Sequence, residues 1–305
     1  MQCKEKMQSK IMSNSGPLPE KPLVTIYLPT KNRLNLLKRA VLSILNQTYT
    51  RIELIVINDG STDGTQQWLE ALSLNEPRLV IIQEVKSIGA CAARNKAINK
   101  ASGVFITGLD DDDEFLPMRI KTFLDSYNPN DSFISHGVLW YYGRKGKVID
   151  AQARRLTLAD MLNYNYATNQ VFTETYKLRA IQGFDTAFKA CQDYDTWTRL
   201  ILKFGDARKI EGYSYIQHQG HEEERISTIK NKLLGYSQFY KKHSQLMGKE
   251  NKINQSFMRV IASKKRYPLF LYLIHLQGGF FIRKTRYLLS SNFPFLAKLR
   301  TKALK

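Results

Sequence analysis

Val104-Phe105-Ile106-Thr107-Gly108-Leu109-Asp110-Asp111-Asp112-Asp113 passes from an apolar run to four consecutive carboxylates. The β-branched and aromatic first part predicts a short buried strand, residues 104–107. Two carboxylates about 4 Å apart repel by about 4 kcal/mol at an effective dielectric near 20, so a cluster at a strand end calls for a compensating cation. Hard oxygen ligands suit Mg2+ or Mn2+, which take one or two carboxylates and complete their shell with substrate phosphates. A solvated acidic loop is the competing reading.

The preceding residues alternate strand and helix. Residues 23–28 form an apolar run stopped by Pro29, and Leu34, Leu37, Val41, Ile44 and Leu45 recur at three and four, predicting a strand and then a helix over 33–46. Residues 52–57 predict a second strand, ending in the turn cluster Asn58-Asp59-Gly60-Ser61, with Thr62 or Asp63 as cap of a helix around Trp68. Residues 79–82 predict a third strand and the Ala-rich 88–100 a helix. Four strands alternating with helices imply α/β architecture, a mainly parallel sheet with helices on both faces. Ligands of such sheets lie beyond the carboxyl ends of the strands. Three polar clusters fall there, residues 29–33, 58–60 and 110–113. No GxGxxG follows the first strand and no GxxxxGK[ST] occurs, which disfavours a dinucleotide-dependent oxidoreductase and a P-loop NTPase.

Beyond Pro117 the pattern loosens. A strand is expected over 132–142, a hairpin turn at 143–146, a short helix over 159–164, and a helix over 194–203 with Trp197, Leu200, Ile201 and Phe204 on one face. The 305 residues are 43% hydrophobic and 24% charged, enough for a sizeable core and incompatible with global disorder. Cys3, Cys91 and Cys191 form no CxxC, which points to a reducing compartment and away from structural zinc. Residues 1–22 lack the apolar segment of a secretory signal.

Of the net charge of +19, +16 falls from Lys230 onward, where 17 Lys and Arg face one acid, Glu250. That asymmetry indicates a polyanionic partner, such as an anionic membrane, a nucleic acid or a phosphorylated glycan.

Several ordered segments together resemble the family 2 glycosyltransferases, inverting nucleotide-sugar enzymes of the GT-A fold. They are residues 24–33, with Pro29-Thr30-Lys31-Asn32-Arg33; Gln47-Thr48-Tyr49 followed by residues 53–65; Gly89 with Ala93-Arg94-Asn95; residues 110–117; and Gly183-Phe184-Asp185 followed by Cys191-Gln192-Asp193-Tyr194-Asp195-Thr196-Trp197. The match covers residues 22–230, leaving a disordered leader over 1–21 and a basic, amphipathic helical region over 231–305.

The resemblance implies a UDP-sugar donor, with Asp59 accepting a hydrogen bond from the base and Pro29 and Asn32 walling it. Arg94 is placed near the nucleotide or the acidic run, Asp110 or Asp111 at the ribose and sugar or at the metal through water, and Asp112 at a Mn2+ or Mg2+ ion, with His218 or His221 as a further ligand. Asp193 is implied as the catalytic base, with Asp195 as the alternative. The expected acceptor is a glycan or lipid-linked glycan of a bacterial surface polysaccharide, such as lipopolysaccharide, O-antigen or capsule. A nucleotidyltransferase and a non-enzymatic polyanion-binding module are the rival readings; no nucleic-acid partner is expected.

The uncharged stretch 268–282 lies between Lys264-Lys265-Arg266 and Arg283-Lys284 with Arg286. As a helix it would reach about 22 Å, short of a hydrocarbon core of about 30 Å, and Gln277-Gly278-Gly279 interrupts it. Peripheral attachment to an anionic membrane surface on the cytoplasmic side is therefore expected, with Phe280, Phe281, Tyr287, Phe293 and Phe295 at the interface. An ordinary helix packed on the body is the alternative.

Overall fold

The computed structural model describes residues 19–219, 228–293 and 295. The expected leader, apart from Pro19, Glu20 and Lys21, lies outside these residues, as do His221 and residues 222–224. Strand β1 (Val24–Thr30) is buried along its whole length. It pairs in parallel with β2 (Ile52–Asp59) on one side and β4 (Phe105–Gly108) on the other, and β2 pairs in parallel with β3 (Leu79–Glu84). The order is β3-β2-β1-β4, closed at the edge by the short antiparallel β9 (Thr173–Glu174).

A strand buried on both faces alternates its side chains between two cores. Val24, Ile26 and Leu28 join Leu54 and Val56 against Leu37, Val41 and Ile44 of helix α1 (Leu34–Leu45). Tyr27, Ile55 and Ile57 enter the opposite core with Ala93, Ala97 and Ile98 of α3 (Ala90–Lys100). Between β2 and β3 runs α2 (Thr65–Ser73), whose first turn is tied by Asp63: its carboxylate accepts from the Thr65 and Leu34 backbone N–H groups. The N-cap itself is Gly64 in a left-handed conformation, so neither Thr62 nor Asp63 takes the expected cap position.

A second sheet follows. Strand β10 (Ala207–His218) lies between β6 (Ile134–Tyr141), parallel, and the two-residue β5 (Glu114–Phe115), antiparallel. Beyond β6 the hairpin turn expected at 143–146 leads into β7 (Gly146–Ile149), while β8 (Arg154–Leu156) pairs with β10. Pairing of β5 with β10 at Phe115↔Tyr215 anchors the end of the acidic run. Short helices α4 (Arg119–Asp125), α5 (Leu158–Asn163) and α6 (Thr175–Ala180) connect these strands. Helix α7 (Gln192–Phe204) buries Trp197, Leu200 and Ile201; Phe204, expected on the same face, is only half-buried.

Four further helices complete the described chain: α8 (Ile229–His243), α9 (Lys249–Ser263), α10 (Leu269–Leu276) and α11 (Phe281–Asn292). A polar seam joins α9 to the body. Asn251 and Asn254 donate to Asn163 Oδ1, and Gln255 donates to the Leu162 carbonyl and to Tyr194 Oη. Phe257, Met258, Tyr267 and Tyr272 form a separate apolar cluster under α10 and α11. Among the described residues no helix is long and apolar enough to cross a membrane.

Candidate active site

Because β1, β2 and β4 are parallel, their carboxyl ends share one edge of the sheet, and a cleft of about 1470 Å³ opens there. Pro29, Asn32, Asp59, Arg94, Asp110, Asp111, Asp112, Asp193 and His218 all line it. The structure thus gathers into one cavity every site residue named from the sequence within the described chain, apart from Asp195.

Asn32 holds two of the strand-end turns together. In a left-handed conformation (φ 52°), it accepts from the Thr62 N–H at 2.7 Å through Oδ1 and donates its own N–H to Ser61 Oγ at 2.9 Å. Asp59 is buried and grips the turn before α3: Oδ1 accepts from the Ile88 N–H at 2.6 Å, and Oδ2 accepts from Ser87 Oγ and the Gly89 N–H. These bonds engage both oxygens, so a ligand N–H on Asp59 would share an oxygen with the turn.

The four aspartates after β4 are resolved into four environments. Asp110 accepts from Arg94 at 2.9 Å, from Gln170 at 3.1 Å and from Asn169 at 3.2 Å. Asp111 is buried; Thr30 Oγ1 and Arg33 donate to it, yet burial outweighs them and pushes its pKa up to about 6. Asp112 is more open to the cleft, with Arg33 at 3.5 Å and its own carbonyl accepting from Arg39. Asp113 is buried, accepting from Tyr215 Oη at 2.8 Å and from the His218 N–H at 3.1 Å. Burial, reinforced by Asp112 and Asp110, raises its pKa well above the usual carboxylate range. The His218 ring contacts Glu114 Oε1 through Nε2 and sets its edge on Tyr141.

Among the described residues no group of three or more His, Cys, Asp or Glu side chains converges as a metal cage. Mg2+ and Mn2+ beside diphosphates are typically held by one or two carboxylates, with phosphate oxygens supplying the rest. Asp112, the third aspartate of the run, lines the cleft and fits such a role chemically.

Asp193 enters from the first turn of α7. Its Oδ2 accepts from Asn165 Nδ2 at 2.9 Å, and the same Nδ2 reaches the Thr168 carbonyl at 3.2 Å. Desolvation by the cleft walls raises its pKa to about 6; the Tyr194 N–H opposes, Asp110 adds to the rise, and Arg94 lowers it. Asn95 sets the approach of this segment by bonding both the N–H and the carbonyl of Phe184 at 2.7 Å. Gly183 (φ 62°) allows this approach, since a Cβ there would stand 2.2 Å from Asn95 Oδ1. The two sequence motifs 93–95 and 183–185 therefore meet as one clamp.

Asp195, the alternative base, faces away from the cleft. It is fully buried, accepting from Arg199 at 2.7 Å, His243 at 2.9 Å and Lys242. A carboxylate so engaged has no path to a substrate proton, and this removes it from the candidates. Four contributors escaped the sequence reading: Arg33 on the acidic run, and Asn165, Asn169 and Gln170 from the loop before β9. Arg33 falls in the polar strand-end cluster 29–33, whereas the signal of the other three is a polar and aromatic cluster, Tyr164-Asn165-Tyr166-Ala167-Thr168-Asn169-Gln170, without periodicity.

This arrangement, a mainly parallel sheet with an acidic run at its carboxyl edge and a helical extension, is the GT-A glycosyltransferase fold. It aligns with S. aureus TarS 1-349 in complex with UDP-GlcNAc at a TM-score of 0.59 and 21% identity, over 71% of this chain and 66% of that one. It aligns likewise with the Pyrobaculum calidifontis mannosyltransferase PcManGT in complex with GDP-Man and Mn2+, at 0.57 and 18%, over 99% and 86%.

The chain belongs to glycosyl transferase family 2, whose model matches residues 25–189. It is 36% identical over 270 residues to WcaA of Escherichia coli (strain K12), a protein provisionally named for glycosyl transfer in colanic acid biosynthesis. That alignment covers 85% of this chain and 95% of the relative.

Proposed function

We propose that the protein is a metal-dependent, inverting glycosyltransferase that moves a sugar from a UDP-sugar to a hydroxyl of a glycan or lipid-linked glycan in bacterial surface-polysaccharide synthesis. The observation that carries this reading is the meeting, in one cleft, of the acidic run after β4 with a single carboxylate, Asp193, tuned to a pKa of about 6. A general base is most effective when its pKa lies near the working pH.

The nucleoside lies along Pro29, Asn32 and Asp59, and the ribose and sugar near Asp110 and Asp111, with Arg94 holding Asp110 in place. Asp112, with His218 as a second candidate, would hold Mn2+ or Mg2+. When bound, the cation offsets charge gathering on the departing nucleoside diphosphate.

Asp193 takes the proton of the acceptor hydroxyl. The acceptor oxygen then bonds to the anomeric carbon on the face opposite the diphosphate, and the bond from that carbon to the phosphate oxygen breaks, so the configuration inverts. Asn165 holds Asp193 Oδ2 through an N–H, a donor that favours the ionised form and keeps the carboxylate oriented. The names and contents of the relatives and structural neighbours support a nucleotide-sugar donor, a divalent cation and a polysaccharide product. Residues 22–230 form the transferase unit and 231–305 a basic region, helical over much of its described part, with residues 294 and 296–305 outside the described chain, that places the enzyme peripherally on the inner face of the membrane.

The test is UDP release with a panel of UDP-sugars in Mn2+ and in EDTA, for the wild type and Asp112→Ala. Turnover in Mn2+ that is lost in EDTA and in the variant is expected. Full activity in EDTA removes the metal, and salt-sensitive RNA or DNA binding without UDP-sugar turnover favours the polyanion-binding reading.

A further inference from the structure

Helix α10 is Leu269-Phe270-Leu271-Tyr272-Leu273-Ile274-His275-Leu276, apolar on every side. Its inner face is occupied: Tyr272 and His275 are buried, and His275 Nδ1 bonds Tyr267 Oη at 2.7 Å. Its outer face, Leu269, Phe270, Leu273 and Ile274, is exposed, with Phe270 64% open to solvent. Phe281 and Ile282, in the first turn of α11, continue the exposure at 61% and 73%. Six large apolar side chains exposed within fourteen residues exceed the scatter of single exposed hydrophobics normal for a soluble surface.

The plate is rigid. Lys284 is fully buried and donates to Asn254 Oδ1, the His275 carbonyl and the Gly279 carbonyl, closing the turn between α10 and α11. This corrects its expected role as a headgroup base. Arg283 is likewise occupied, stacked over Tyr164 at 3.6 Å, and Tyr287 packs against Phe257 and Tyr267. The bases left exposed beside the plate are Lys264, Lys265, Arg266 and Arg286, and no Asp or Glu follows Glu250 in the sequence. An apolar face with exposed bases on the adjoining segments matches the boundary between anionic headgroups and acyl chains. Eight residues of α10 reach only about 12 Å, which suits insertion in the plane of the interface and excludes spanning.

Helix α11 also lines the cleft, through Tyr287, Ser290 and Ser291, as does Lys264 at the end of α9. We infer that the outer face of α10 and the first turn of α11 insert in-plane into an anionic bilayer, and that the part of the cleft lined by α11 opens at that surface. Resting on the transferase reading, this makes that part of the cleft the entrance for an acceptor presented at the membrane.

The experiment is co-sedimentation of the full chain with vesicles of phosphatidylcholine alone and of an equal mixture with phosphatidylglycerol. Stronger recovery on the anionic vesicles is expected. Phe270→Gln with Leu273→Gln should abolish recovery on both. Lys265→Gln with Arg266→Gln should lower partitioning to the anionic vesicles only, by about fivefold per base. Equal recovery on the two lipids, or an apolar variant that binds like the wild type, overturns the inference. So does self-association of the wild type that the apolar variant abolishes, which would assign the plate to a second copy. UDP-sugar hydrolysis without vesicles reads the donor site alone and stays at the wild-type level in these variants. Its loss in the wild type would instead count against the transferase reading.

Discussion

Asp193 and Asp195 stand two residues apart in the first turn of α7, and their surroundings are opposite. Asp195 is fully buried among Arg199, Lys242 and His243; burial pushes its pKa up, and those partners outweigh it and hold the carboxyl below its ordinary value. Asp193 lines the cleft, and the side chain bonded to it is the neutral amide of Asn165. No Lys or Arg pairs with it directly among the described residues. One side of the turn fastens α7 to α8, and the other presents a carboxylate whose pKa is pushed up to about 6. A buried charge supplied with cations is a structural joint, whereas a desolvated one left without them is poised to exchange a proton.

Substitutions on the two sides should therefore fail differently. The largest effect is expected of Asp193→Asn, nearly isosteric and unable to take a proton: kcat falls on the order of 10²–10⁴ while UDP-sugar affinity, measured by titration, stays unchanged. Loss of donor affinity instead would move Asp193 into a binding role.

Asp195→Asn leaves Arg199 and His243 facing a neutral group, and chemical denaturation should show a loss of about 3–5 kcal/mol. Because the Asp195 pKa is lowered in the folded state, its stabilisation is present above the unfolded value of 3.8 and is lost as pH falls through the folded value. The wild type should lose its advantage over this variant in strong acid.

A smaller effect is expected of Asn165→Leu, which removes the donor to Asp193. The donor favours the carboxylate, so its loss should move the acid limb of kcat/KM upward by about one pH unit, with little change at alkaline pH. A uniform fall in rate at every pH would assign Asn165 a packing role only. Smallest is Lys242→Met, since that lysine is about one third exposed and shared between Asp185 and Asp195. Denaturation should register no more than about 1 kcal/mol.

The sequence made one side of this contrast legible and hid the other. Strands β1, β2 and β4 announce themselves because burial on both faces demands unbroken apolar runs, and their polar ends mark the cleft edge. The long β10 went unseen because it carries Arg208, Lys209, Glu211, Gln217 and His218, and its register with β6 breaks around Tyr213. Two-residue strands such as β5 and β9 are too short for any periodicity to show. Asp193 was legible through the motif around it, but Asn165 was not. An amide 28 residues upstream, on an irregular loop, is placed by the fold alone.

The pH dependence of kcat/KM in the wild type, set beside that of Asp193→Asn, tests most directly whether Asp193 is the base. A base must be ionised, so activity should be low below the Asp193 pKa and rise to a plateau above it, with a midpoint near the value of about 6 that its burial sets. The residual activity of Asp193→Asn should be flat across the same range. An acid limb that persists unchanged in Asp193→Asn would contradict the assignment.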